Sequence, residues 1–123
     1  MDNKKILIVE DDDSLRHIMH DNLAQAGYEV LTAPDGEEGL KQALEGKPDV
    51  ILLDIMMPKV DGITMLKNYR EKAPDSQVPV IMLSNLGEVK QVSDALALGA
   101  KDYWVKSSFG IGEIVDRVRE KLK

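Results

Sequence analysis

The 123-residue sequence contains no cysteine, which excludes disulfides and thiolate chemistry while leaving the compartment open. It also lacks any apolar stretch approaching the roughly 20 residues that a bilayer-spanning helix needs. Its amino terminus, Met-Asp-Asn-Lys-Lys followed only by the short apolar run Ile6 to Val9, lacks the long apolar segment of a secretory signal. A cytoplasmic location without membrane contact is therefore expected. There is no basic run either. The formal net charge is -6, with 16 Lys and Arg against 22 Asp and Glu. A phosphate backbone has to be met by a concentrated basic face, so direct nucleic-acid binding is not expected. No glycine-rich nucleotide loop is present, which weakens kinase and dinucleotide-binding readings. Internal repeats, low-complexity tracts and linkers are absent as well.

What is present reads as one domain over residues 1–123, with 43% hydrophobic and 31% charged residues. Branched apolar runs recur at Ile6 to Val9, Val50 to Leu53 and Val80 to Leu83, with weaker versions at Tyr28 to Thr32 and Tyr103 to Val105. These are five predicted strands. Between them the spacing becomes helical: Leu15, Ile18, Met19, Leu23 and Ala26 share one face, as do Ile111, Ile114, Val115, Val118 and Leu122. Helices also fit Asp35 to Leu44, Gly62 to Lys72 and Glu88 to Leu98. Asp35 with Glu38 resembles a capping box, while Gly27 and Gly99 stand where helices would end. Strands apolar throughout, alternating with helices, imply a parallel sheet covered on both faces: a doubly wound α/β domain of five strands and five helices.

In an open parallel sheet the strand C-termini share one rim, and ligands bind in the crevice there. The first strand is followed by Glu10, Asp11, Asp12 and Asp13, the third by Asp54, the fourth by Ser84 and Asn85, and the fifth by Lys106 and Ser107. An apolar strand ending on aspartate is explained if the carboxylate belongs to that rim. Glu10, Asp11 and Asp54 close together would raise one another's pKa unless cations intervene. Lys106 cancels one charge, and oxygen-only ligands favour Mg²⁺ for the rest. A carboxylate beside such an ion, with a hydroxyl and an ammonium to hold phosphoryl oxygens, is equipped to become an aspartyl phosphate.

Each residue also has a plainer reading. The run Glu10 to Asp13 fits a helix N-terminus. Asp54 could be a structural carboxylate bonded to backbone amides. Ser84 could be a turn residue, Lys106 a solvated side chain, and Tyr103 and Trp104 packing residues. The pair Met56-Met57 reads as packing rather than as soft-metal ligands. His17 and His20 fall on the polar face of the first helix, away from the rim, so no hydrolase triad is suggested. It is the joint occurrence of these groups at strand ends that favours function.

The segments "ILIVEDD", "LLDIMMPKVDG", "PVIMLSN" and "GAKDYWVK" together resemble the receiver domain of two-component response regulators over essentially the whole chain. The resemblance implies a flavodoxin-like fold with strand order 2-1-3-4-5, an order that comes with the family rather than from the residues. It implies that Asp54 is the phosphoacceptor, taking a phosphoryl group from a histidine kinase or histidine phosphotransfer protein. Glu10 and Asp11 would be the acidic pair, Asp11 binding Mg²⁺ directly and Glu10 through water, with the Met56 backbone carbonyl as a further ligand. Ser84 would bond a phosphoryl oxygen, Lys106 would pair with it, and Tyr103 would be the aromatic switch residue that follows Ser84. Pro58 and Gly62 match the loop after the phosphorylation site. Phosphorylation would then bias the surface of the fourth helix, fifth strand and fifth helix toward a downstream output protein, an effector domain or a homodimer.

Three positions depart from the family pattern. Ser107 stands where proline usually follows the lysine, often through a cis bond; a cis bond to a non-proline residue costs about 3 to 4 kcal/mol, so a trans bond or visible strain is expected at Lys106-Ser107. Asn85 replaces a small residue and would narrow access to the site. Met56 and Leu86, at two positions that influence loss of the phosphoryl group, cannot orient an attacking water, so slow self-dephosphorylation is expected. Two other classes compete: a receiver-like module working only through constitutive contacts, and a small Mg²⁺-dependent phosphatase, for which no general acid is evident beyond the cluster itself.

Overall fold

The structure, a computed structural model, describes residues 4–85, 87–108 and 110–122. Its strands are β1 (Lys5–Val9), β2 (Glu29–Ala33), β3 (Val50–Asp54), β4 (Val80–Ser84) and β5 (Asp102–Val105). The helices are α1 (Asp13–Gln25), α2 (Gly36–Glu45), α3 (Gly62–Lys72), α4 (Val89–Ala97) and α5 (Ile111–Lys121), and Lys106–Ser108 forms one 3-10 turn before α5. All strand pairs are parallel, in the order β2-β1-β3-β4-β5. Among the described residues no helix is long and apolar enough to cross a membrane.

Alternation along the strands divides the core in two. Ile6, Ile8, Val50, Leu52, Ile81, Leu83 and Trp104 pack against Met19 and Leu23 of α1 and Ile114 and Val118 of α5. The intervening residues Leu7, Val9, Ile51, Leu53, Val80 and Met82 pack on the opposite face against α2, α3 and α4. β3 and β4 are buried at every position, so both read as continuous apolar runs.

Helix ends follow local chemistry. Asp12, Asp35 and Asp61 each cap a helix, accepting from Leu15 N at 3.1 Å, Glu38 N at 2.9 Å and Thr64 N at 2.8 Å. Glu38 turns forward to Gln42 Nε2 at 3.4 Å. After α1 and α4 the chain turns at Gly27 (φ +100°) and Gly99 (φ +94°), as their positions suggested. The apolar face of α1 is narrower than its periodicity implied. Met19 and Leu23 are buried, while Ile18 lies at the edge of the stripe and Ala26, already the C-cap, is exposed. On α5, Val115 and Leu122 flank the buried Ile114 and Val118, and the Ile111 side chain lies outside what the structure describes, as does Leu86.

Candidate functional site

Period-two alternation explains which side chains meet at the C-terminal rim. Ile6 and Ile8 lead to Glu10, Val50 and Leu52 to Asp54, and Trp104 to Lys106, all on the sheet face that packs against α1 and α5. The β1–β3 register pairs Val9 with Leu53, and one more step places Glu10 beside Asp54. Ser84 has the opposite parity and faces the α4 side, at the end of a strand whose Leu83 pairs with Asp54.

Three of these groups form a buried ionic triad. Lys106 Nζ lies 2.7 Å from Glu10 Oε1 and 3.0 Å from Asp54 Oδ1. Glu10, Asp54 and Ser84 are all within 1% of complete burial. The ammonium offsets one of the two carboxylate charges, yet Glu10 Oε1, Asp54 Oδ1 and Ser84 Oγ have no directional hydrogen bond among the described residues. Buried polar atoms left this way are uncommon and call for a partner. Burial, a hydrogen bond with Glu10 and the charge of Glu10 push Asp54 from 3.8 up to about 8, against the lowering pull of Lys106. Burial alone would lower Lys106, but its contacts with Glu10 and Asp54 prevail and raise it.

Asp11 is exposed beside this triad. Carboxylate oxygens of Glu10, Asp11 and Asp54 all lie within 4.8 Å of one another. Three hard oxygen donors, two of them with an unsatisfied buried atom, suit a small divalent cation such as Mg²⁺. The acidic run thus divides: Asp12 caps α1 and Asp13 pairs with Arg16, whereas Glu10 and Asp11 face Asp54. Among the described residues Asp54 Oδ1 accepts no backbone amide and has Lys106 as its charge partner.

The loop after β3 is held against the site. Gly62 N donates to Ile55 O at 2.7 Å, and a Cβ at Gly62 would stand 2.1 Å from the Asp54 carbonyl oxygen. Only glycine allows this approach. The Met56 side chain is 52% exposed, while Met57 packs against the core. Tyr103 is 43% exposed and pairs with Met82 in the sheet, and between it and α4 lies a cavity of about 190 Å³ lined by Ser84, Asn85, Val89, Val92 and Val105. The Lys106-Ser107 bond is trans, since no described peptide bond is cis. His17 is exposed and His20 meets Asp21 at 3.0 Å, both outside the cluster.

Two contacts at the rim had no evident sequence signal. Arg16 Nη1 donates to Glu10 O at 2.8 Å. Glu88 Oε1 accepts from Asn85 N at 2.5 Å and fastens the turn between β4 and α4. The i,i+3 spacing of Asp13 and Arg16 suits their ion pair, but the second bond, to Glu10 just after β1, is not visible in spacing.

A five-stranded parallel fold of this order, with an acidic, lysine-bridged crevice at its C-terminal rim, defines a class of small phosphoacceptor switches. The family model described as "Response regulator receiver domain" matches residues 6–119, and the chain belongs to that family. Receiver domains of response regulators are phosphoacceptor switches of two-component systems. The chain is 46% identical to the probable transcriptional regulator ycf27 of Guillardia theta, covering 98% of this chain and 46% of that protein. It is 39% identical to the DNA-binding dual master transcriptional regulator RpaA of Synechocystis sp., covering 97% of this chain and 49% of that protein. Among solved structures, the chemotaxis protein CheY4 of Vibrio cholerae superposes with a TM-score of 0.87 at 31% identity, covering 97% of this chain and 98% of that one.

The chain thus spans about half the length of these transcriptional regulators. This corrects the expectation that nucleic acid is no partner. The relatives are transcriptional regulators, one described as DNA-binding, so charge on this chain's own surface was the wrong quantity to judge by. A net charge of -6 describes only the residues that carry it, not what a receiver controls.

Proposed function

We propose that residues 1–123 act as one receiver unit in which Asp54 accepts a phosphoryl group from the phosphohistidine of a histidine kinase. The observation that carries this reading is the buried Glu10–Lys106–Asp54 triad, with Asp11 alongside and carboxylate oxygens left without directional partners. Glu10, Asp11, Asp54 and the Met56 backbone carbonyl are the groups that would hold Mg²⁺. The ion supplies positive charge, which favours ionised Asp54 and offsets the charge of the incoming phosphoryl group.

In the transfer an Asp54 oxygen forms the new O–P bond while the N–P bond of the donor imidazole breaks, its electron pair staying on the ring nitrogen. Lys106, already 3.0 Å from Asp54, remains protonated at neutral pH and pairs with a phosphoryl oxygen. Ser84 Oγ, buried and without a directional bond, turns its hydroxyl to another. Drawing Ser84 toward Asp54 enlarges the cavity under Tyr103, and the ring moves from its exposed position into that space. The phosphoryl group brings roughly twice the charge of a carboxylate, which is enough to shift a two-state equilibrium of a few kcal/mol. In a regulator of the relatives' length, the segment answering to this shift is DNA-binding.

The test is intact mass after incubation with a small acyl phosphate, with and without Mg²⁺, for this chain and for Asp54→Asn. A gain of one phosphoryl group that requires both Mg²⁺ and Asp54 is the expected result. No gain from a chain that still takes up Mg²⁺ would leave a constitutive binding module.

A further inference from the structure

We propose that Arg16 is a positioning residue for the cation site, fixing the turn that aims Asp11 at Asp54; this rests on the reading of that site as one for Mg²⁺. The Asp11 carboxylate makes no hydrogen bond among the described residues, so its direction is set by the backbone on either side of it. That backbone is held on both sides of Asp11. Glu10 N donates to Ala33 O at 3.1 Å, and Asp12 N donates to Glu10 Oε2 at 3.1 Å. Beyond Asp11, Asp12 is anchored to α1, its Oδ1 accepting from Leu15 N at 3.1 Å and its carbonyl from Arg16 N at 2.9 Å; on the near side of Asp11 the Arg16 side chain supplies a further tie. From the first turn of α1 it reaches back to the Glu10 carbonyl with Nη1 at 2.8 Å and to Asp13 Oδ1 with Nη2 at 2.5 Å. Its side chain is only 13% exposed, so the bond to the Glu10 carbonyl is partly sheltered from competing water, whereas Asp13 at the other arm is 78% exposed.

One guanidinium therefore does two things. It clamps the carbonyl immediately before Asp11, and it ties that clamp to Asp13 in the first turn of α1. Arg suits the task because its fork serves two acceptors at once, whereas a lysine ammonium in the same place is a single point on a flexible stem.

The proposal predicts a sign opposite to that of simple electrostatics. Removing a positive charge beside an acidic cluster should, by Coulomb's law alone, tighten the binding of a divalent cation. Loss of the clamp should weaken it, roughly 10- to 100-fold by comparison with other groups that orient metal ligands. Titration of the full chain with MgCl₂, followed through the backbone amide resonances of Glu10 to Asp13, measures this directly. Arg16→Met should bind more weakly by that factor. At saturating Mg²⁺ it should nevertheless recover phosphorylation from acyl phosphate, a separation that general loosening of the fold would not give. Arg16→Lys keeps the charge without the fork and should fall between the two; it also decides the matter if Arg16→Met does not fold. Unchanged or tighter binding in Arg16→Met, or wild-type affinity in Arg16→Lys, overturns the inference. Absence of Mg²⁺ binding in the unmutated chain overturns the cation-site reading itself, and the inference with it.

Discussion

Replacing Asp54 by asparagine should stabilise the metal-free chain, and by an amount that depends on pH. Glu10 and Asp54 are two fully buried carboxylates sharing one ammonium, so the ionised triad carries a net charge of about -1 in a low-dielectric site. Asp54 accordingly stands at about 8 in the folded chain against 3.8 ordinarily. Between those values the folded state holds a proton that the unfolded state has released, so stability falls as pH rises through that window and levels off above about 8. The whole interval corresponds to a ceiling of roughly 6 kcal/mol. The amide recovers less, because the Lys106 contact to the Asp54 carboxylate is lost; a gain on the order of 2 kcal/mol at pH 8 is expected. For a chain of this length that is about 8 °C in melting temperature. Thermal melts in EDTA from pH 4 to 9 should show the two proteins alike at pH 4, where a protonated carboxyl resembles an amide, and increasingly different toward pH 8. Added Mg²⁺ should narrow the difference by stabilising the chain with Asp54. A difference that is flat across this range, or an asparagine variant less stable at pH 8, would refute the account of the triad.

Gly62→Ala would place a methyl group 2.1 Å from the Asp54 carbonyl and 2.9 Å from Ile55 Cα, both backbone atoms. The loop must move, and urea unfolding should register a loss of roughly 2–4 kcal/mol; a loss under about 0.5 kcal/mol would show that the loop yields freely. The phosphorylated chain should also hold its phosphoryl group for minutes or longer, because the exposed Met56 side chain carries no group able to orient an attacking water. Following intact mass after removal of the donor tests this, and decay within seconds would sink the argument.

The fold was legible wherever one physical signal dominated. β3 and β4 are apolar throughout because both faces are covered, and α3 begins at Gly62 because Asp61 caps it. The strand order was not readable from periodicity, since five similar strands permit several orders, and it came with the family motifs. At the rim the residues brought together were those that follow the strand ends, but composition and spacing alone did not separate the tasks within Glu10 to Asp13, and only the resemblance singled out Glu10 and Asp11. Four adjacent acids look alike in sequence, and in the structure the start of α1 at Asp13 and the reach of Arg16 tell them apart. Contacts between distant residues were equally hidden, such as Arg70 donating to the carbonyls of Leu98 and Gly99 at the end of α4. The nucleic-acid expectation failed for a different reason: the charge of one segment was taken to speak for every partner.

The parallel register has a consequence for how the site comes into being during folding. No two neighbouring strands of this sheet can be joined by a tight hairpin, and β1 must find β3 across 40 intervening residues. Glu10, Asp54, Ser84 and Lys106 sit at the ends of four strands, so none of them meets the others until those strands are aligned. A slip of one residue would also turn each side chain to the opposite face. A partly assembled chain with β5 undocked would hold the buried carboxylates of β1 and β3 without their ammonium, an unfavourable species that the final strand relieves. Docking of β5 therefore completes the cluster, and a nascent or damaged chain lacking that strand presents Glu10 and Asp54 without Lys106.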